Sequence, residues 1–370
     1  MSDSDAATRA SSGRGRIEDR LARGGVAIEL LRVPELLFGA LAGTRALLYD
    51  RGVLPTERVD AAVVSVGNLS AGGTGKTPMI AWLARRLVAR GKRAGIVSRG
   101  YGARAGEAND EARVLAELLP DVPHVLDADR ARGARALLER ERVDVILLDD
   151  AFQHRRLARE LDLVLIDATR PWGLPGRRVT DAPLLPRGLL RERPGALARA
   201  DAIVVTRADQ AAPPELVELR RELERVAPGP ALAVAVHAPV RLRDLDGRIE
   251  PLGALAGRTV DVVSGIGHPR AFERTLRDLG AELGEQRQFP DHHAFTAADL
   301  AGLGARWIVV TAKDAVKLRD VAGAVRGALR VVDIELELVE GQGALEALLD
   351  ALPESRSGRE RRALHEGLHG

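Results

Sequence analysis

Ala61-Ala62-Val63-Val64-Ser65-Val66-Gly67-Asn68-Leu69-Ser70-Ala71-Gly72-Gly73-Thr74-Gly75-Lys76-Thr77-Pro78 decides the fold class. The apolar run Ala61 to Val66 predicts a short buried strand. The glycines that follow predict a tight turn, and Pro78 to Arg90 predicts a helix stopped by Gly91. Strand, glycine-rich turn, Lys-Thr and helix is the order a phosphate cradle requires. Backbone N–H groups turn inward toward the anion, and the helix N-terminus adds partial positive charge. The loop Ser70, Ala71, Gly72, Gly73, Thr74, Gly75, Lys76, Thr77 therefore reads as an ATP site. Lys76 would reach the β- and γ-phosphates, and the Thr77 hydroxyl would hold Mg²⁺. The pattern G-x-x-x-x-G-K-[ST] is incomplete, because Ser70 stands where its first glycine belongs.

Outward from the loop, apolar strands alternate with amphipathic helices. Strands are expected at 94–97, 143–148, 163–166, 203–206 and 232–236. This rhythm predicts an α/β fold of the P-loop NTPase type, a parallel sheet with helices on both faces. Val145-Ile146-Leu147-Leu148-Asp149-Asp150 ends a buried strand in two carboxylates, the position of a metal-holding acid. At Asp246-Gly247 a hairpin is expected between two extended runs. Alternation then resumes at 260–264, 270–279 and 307–311. The expected organisation is a disordered N-terminus over 1–25, a kinase domain over 26–239, a β-hairpin linker over 240–254, a smaller α/β domain over 255–352 and a flexible tail over 353–370.

Composition narrows the function. At roughly 100–200 residues per domain, 370 residues suggest two domains. The formal charge of +2 carries no nucleic-acid signature. The absence of cysteine excludes disulfides, thiolate metal sites and a Cys nucleophile. Lys occurs only at 76, 92, 313 and 317, so Lys76 stands out against an Arg-rich background. No run of about 18 apolar residues is present, so no membrane-spanning helix is expected. Val26 to Leu54 is apolar at helical spacing with few charges. It reads either as a helical hairpin packed on its own domain or as an interfacial helix entering one leaflet.

Three classes share this equipment. A GTPase is suggested by Thr206-Arg207-Ala208-Asp209, although Arg replaces the Lys that stacks on guanine. A membrane-positioning ATPase would carry a Lys where Ala71 stands. A small-molecule kinase needs a base and an acceptor site, for which Asp110-Glu111, Arg99 and Asp291-His292-His293 are available.

The motifs taken together resemble the tetraacyldisaccharide 4′-kinases of lipid A biosynthesis. The resemblance rests on Val66-Gly67-Asn68-Leu69-Ser70 running into Gly72–Pro78, on Ser98-Arg99-Gly100-Tyr101-Gly102, and on Asp149-Asp150-Ala151-Phe152-Gln153-His154-Arg155. It continues through Ile166-Asp167-Ala168 with Pro171-Trp172-Gly173, Gly265-Ile266-Gly267-His268-Pro269, Phe289-Pro290-Asp291-His292-His293 and Thr311-Ala312-Lys313-Asp314. These occur in family order. The resemblance implies transfer of the ATP γ-phosphoryl group to the 4′-hydroxyl of an acylated disaccharide 1-phosphate, giving lipid IV-A, at the cytoplasmic face of the bacterial inner membrane. It implies a peripheral membrane contact and no nucleic-acid or obligate protein partner. By the same resemblance, Asp110 and His292 form the base pair. Arg99, Glu111, Arg130 and Gln153 contact substrate or phosphate, and Thr77, Asp149 and Asp150 hold Mg²⁺. The family's Asp-Glu motif is flanked by Gly and Pro, whereas here Asn109 and Ala112 flank Asp110-Glu111.

Overall fold

The computed structural model describes residues 20–21, 25–100, 110–267, 269–291 and 293–355. Most of the expected disordered N-terminus, the tail beyond 355, Tyr101-Gly102, His268 and His292 lie outside them. The chain divides into two compact units, one comprising 24–236 with 336–370, the other including 237–335.

In the larger unit, β1 (Ala62–Asn68) is buried along its whole length. A parallel strand covered on both faces reads as a near-continuous apolar run rather than an alternating one, which Ala62, Val63, Val64 and Val66 supply around the small Ser65. Its neighbours are β4 (Val145–Asp149) and β5 (Leu161–Asp167), both parallel. The order in this unit is β7-β6-β5-β1-β4-β2-β3, with β2 at Ala94–Ser98, β3 at His124–Leu126, β6 at Ala202–Thr206 and β7 beginning at Ala231. On one face, Val64 and Val66 pack with Met79, Ile80, Leu83 and Leu87. On the other, Val63 packs with Ala131, Ala134 and Leu137. The helix after the loop runs Lys76–Ala89, two residues earlier than expected. Its first turn is fixed by the loop, so Pro78 falls inside the opening turn, where its missing N–H leaves no bond unmade.

The chain leaves this unit within β7 (Ala231–Arg243) and returns within β12 (Leu329–Glu340). Both strands are about twice the length of an ordinary strand; of β7 only 232–236 was expected, and at 329–340 no strand was expected. The hairpin at Asp246-Gly247 is present: Gly247 adopts φ +90°, and Leu242 and Arg243 pair antiparallel with Ile249-Glu250. It lies inside the smaller unit, so the passage between units is made by strands and not by the hairpin. Residues 336–352, expected in the smaller unit, belong to the larger: Leu336, Leu338, Leu345, Leu349 and Leu352 are buried with Val64 and Leu87. The smaller unit has a parallel sheet in the order β10-β9-β11-β12, with β9 at Thr259–Ser264, β10 at Glu282–Gln288 and β11 at Ile308–Thr311.

Upstream of β1, α1 spans Arg32–Asp50 as one long helix and not a helical hairpin. No residue of it is fully buried. Among the described residues, no helix is long and apolar enough to cross a membrane.

Candidate functional site

The loop between β1 and its helix, α2 (Lys76–Ala89), is held by its carbonyl groups. The Asn68 side-chain amide donates to the Ser70 carbonyl at 2.7 Å and to the Gly72 carbonyl at 3.4 Å. The buried Thr206 hydroxyl donates to the Thr74 carbonyl at 2.9 Å. A trans peptide places the next N–H opposite its C=O. The N–H groups of Gly73 and Gly75 therefore point away from Asn68 and Thr206, as an anion cradle requires. Gly72 and Gly75 adopt φ of +144° and +90°, backbone that a side chain at either position would strain.

Lys76 extends from the first position of α2. Its ammonium lies 3.3 Å from the Asn68 side-chain oxygen and 3.3 Å from Asp150. Asp149 and Asp150 follow at the end of β4, beside β1, because the two strands pair through Val66 and Asp149. Gly67 allows this approach: a Cβ there would fall 2.7 Å from the Phe152 backbone nitrogen.

The two acids have opposite electrostatics. Burial, together with the nearby Glu111 carboxylate, pushes Asp149 up to about 7 against the opposing pull of Lys76. One Asp149 carboxyl oxygen is buried without a hydrogen-bond partner among the described residues. Burial also disfavours ionised Asp150, but Lys76 and Arg191 outweigh it and bring that acid down to about 2. The Arg191 guanidinium donates to both Asp150 oxygens at 3.0 and 2.9 Å. Asp149 is thus a carboxylate short of positive charge, and Asp150 is one already neutralised. The Thr74 hydroxyl is likewise buried without a partner among the described residues. These orphaned oxygens are what a phosphate-bound divalent cation and its water shell would satisfy. No group of three or more His, Cys, Asp or Glu side chains suited to a metal is found among the described residues. A cation here would therefore depend on phosphate and water for most of its ligands.

The other sequence-singled residues of this unit converge on the same place. Arg130 is almost wholly buried and donates to the Asp149 carbonyl at 2.9 Å. Burial lowers its pKa, opposed by Asp149 and Asp150, while the Arg99 charge adds to the lowering. Glu111 stands in the first turn of the helix Asp110–Leu118, close enough to raise Asp149, and Asp110 is half-buried beside it. The Gln153 amide donates to the Asn68 carbonyl at 3.1 Å. Thr77 lies in the opening turn of α2, partly exposed. His292 lies outside the described residues.

Arg191 was not singled out in the sequence. In a chain so rich in Arg, no local pattern marks it. Its role comes from backbone contacts that bring 189–191 against the loop: the Ala71 N–H donates to the Leu189 carbonyl at 2.7 Å, and the Arg191 N–H to the Leu69 carbonyl at 2.7 Å. Arg191 also lines a cavity of about 470 Å³ with Gln153, Arg155 and the α1 residues Phe38, Leu41, Arg45 and Tyr49. Polar contacts fix α1 there. Glu35 accepts from the Leu184 N–H at 2.9 Å and pairs with Arg187. Arg45 donates to the Gln153 carbonyl at 2.9 Å, and Arg155 to Asp50 at 2.6 Å. Val33, Leu36 and Leu37 of the helix are exposed, and so is Leu41 at the cavity.

Comparison with known proteins points to one family. Residues 27–353 match the family model for tetraacyldisaccharide-1-P 4′-kinase, LpxK. A tetraacyldisaccharide 4′-kinase from Anaeromyxobacter dehalogenans is 45% identical over 346 residues, covering 86% of this chain and 89% of that protein. One from Geobacter sulfurreducens is 38% identical, covering 78% and 84%. The crystal structure of an "apo" form of LpxK from Aquifex aeolicus in complex with ATP superposes with a TM-score of 0.69 at 29% identity. That match covers 88% of this chain and 98% of the other.

Proposed function

The chain belongs to the tetraacyldisaccharide 4′-kinase family and has that activity in lipid A biosynthesis, and from this premise we propose how its residues perform the transfer. The γ-phosphoryl group of ATP sits over Gly73, Thr74, Gly75 and Lys76, with the Gly73 and Gly75 N–H groups and the Lys76 ammonium facing the β- and γ-phosphates. Bound Mg²⁺ supplies charge neutralisation at those phosphates. Thr77 and Asp149 are the residues that would hold it. Asp150 holds Lys76 and Arg191 in place. The unpartnered oxygen of Asp149, with its raised affinity for a proton, is the observation that carries this division of labour. A carboxylate that binds a proton strongly because it lacks compensating charge also gains most from a cation.

The acceptor is the 4′-hydroxyl of the acylated disaccharide. Its O–H bond breaks as the O–P bond forms and the bond to the β-phosphate oxygen breaks, releasing ADP. His292 takes the proton, with Asp110 as the acid of the pair that the family motif implies. Arg99, Arg130 and Glu111 set the potential around the transferring group. The cavity between α1 and Arg191 is the acceptor side: Arg45, Arg155 and Arg191 face the substrate's sugar and phosphate, and the exposed leucines of α1 rest in the cytoplasmic leaflet of the inner membrane.

The deciding experiment follows labelled γ-phosphate from ATP onto tetraacyl disaccharide 1-phosphate. His292→Ala is expected to lose on the order of a thousandfold in kcat, within the range for general-base removal, while retaining ATP binding. Near-normal lipid phosphorylation by that variant removes His292 from the mechanism. Labelled inorganic phosphate without labelled lipid in the wild-type reaction would redirect the reading to an ATPase.

A further inference from the structure

Two motifs that the transfer chemistry leaves unused meet behind the phosphate loop. Asp167 ends β5, and Arg207 follows β6. The two strands pair in register through Asp167 and Thr206. Asp167 is only 1% exposed. Its carboxylate pairs with the Arg207 guanidinium, with Arg170 at 3.5 Å, and with the Thr169 N–H at 3.0 Å and hydroxyl at 2.7 Å. Arg170 is itself 5% exposed. Its guanidinium lies against Gly72, with Nη2 3.4 Å from the point a Cβ on that glycine would occupy.

A buried ion pair is a poor way to gain stability, because desolvation offsets most of the attraction. Leucine and methionine would fill the same space at less cost. What an arginine adds at this place is a planar cation beside Gly72, within van der Waals reach of any side chain placed there. Asn68 and Thr206 grip the loop through its carbonyls, and Leu189 holds Ala71. Arg170 is the contact on Gly72 from the β5 side. Arg207 stands where the guanine-reading Lys of a GTPase would be, but its side chain is turned to Asp167. That use of the motif explains why a strand end resembling N/T-K-x-D belongs here without reading a base.

We propose that Arg170, oriented by Asp167, is a positioning residue for the ATP phosphates: it braces Gly72 in its positive-φ backbone and places a cation beneath the cradle. The proposal rests on the reading of Ser70–Thr77 as the nucleotide loop. It calls for full-length enzyme in detergent, measured for ATP KM, kcat, nucleotide affinity and melting temperature. Arg170→Met is expected to raise the ATP KM about tenfold, as for one lost charge-assisted contact, with kcat changed by less than about threefold. Arg170→Lys, which keeps the charge, should recover most of the KM. Asp167→Asn should raise KM in the same direction and by less. Gly72→Ala, which strains the loop and presses on Arg170, should reproduce the Arg170→Met effect without touching either charge. An Arg170→Met enzyme with wild-type KM overturns the proposal. So does one whose only change is a lower melting temperature, since that is a purely structural role. Lys76→Met separates the two levels: if it binds nucleotide as wild type does, the loop reading itself falls, whatever Arg170 does.

Discussion

The phosphate loop and α1 belong to the same unit, yet they are built on opposite terms. Every carbonyl singled out above in the loop has a fixed donor, its lysine has two partners, and Asp149 beneath it is buried. The α1 helix has no fully buried residue; Leu41 is 73% exposed and Leu37 62%. Phosphoryl transfer gains from positioning, where small displacements are costly. Taking an acylated substrate from a bilayer needs apolar surface that stays uncovered until the membrane covers it. The two regions meet at Arg191 and Gln153, which contact the acids and loop on one side and the α1 cavity on the other.

Substitutions at the two ends should therefore separate cleanly. Lys76→Met should have the largest effect, a loss on the order of a thousandfold or more in kcat with any acceptor, lipid in vesicles or lipid in detergent. Full activity in that variant would remove the loop from the chemistry. Next comes Arg191→Met at the junction. It leaves Asp150 with one cation fewer, so a loss on the order of a hundredfold is expected, in both ATP-dependent and acceptor-dependent parameters. An effect confined to the acceptor KM would place Arg191 on the lipid side alone. Leu37→Ser with Leu41→Ser should leave ATP affinity unchanged and weaken association with anionic vesicles by about tenfold or more, given about 1.5–3 kcal/mol for a fully buried leucine. Unchanged vesicle sedimentation would detach α1 from the membrane.

The smallest effect expected is on pH dependence, away from both ends. His124 on β3 is hydrogen-bonded to Ser98 at 2.8 Å, and burial lowers its pKa to about 4. A histidine depressed in the folded state contributes stability above its unfolded pKa, near 6.5, and loses it as pH falls toward 4. Between those values the unfolded chain binds a proton that the folded chain refuses, at up to about 1.4 kcal/mol per pH unit. His124→Asn should flatten the urea-stability profile between pH 6.5 and 4 by about one proton. An unaltered slope would show that His124 is not held neutral.

The strands of the larger unit were legible because a parallel sheet covered on both faces demands uninterrupted apolar runs. Only one kind of sequence satisfies that demand. The strand that was missed there, His124–Leu126, is three residues long and only half-buried. The length of β7 and the whole of β12 were hidden for a related reason. Their outer halves alternate charged and apolar residues, as in Arg241, Leu242 and Arg243, where the arginines pair with the buried Asp333 of β12. A pattern scan reads such charges as loop, and only the pairing shows them to be strand. The assignment of 336–352 to the smaller unit failed because chain order says nothing about which core a returning strand joins.

What the sequence determined by itself was the local chemistry: a strand, a glycine turn and Lys76-Thr77 on a helix start, with two acids at the end of a later strand. Those follow from short-range rules, since backbone conformation and helix start depend on neighbours in the chain. Tertiary structure alone decided what those groups do to one another. Asp149 and Asp150 are identical and adjacent in sequence. Folding buries one beside Glu111 and sets the other between Lys76 and Arg191, so one is driven to hold its proton and the other to give it up. Electrostatic energy depends on distance in space and on burial, and neither is written in the order of the residues.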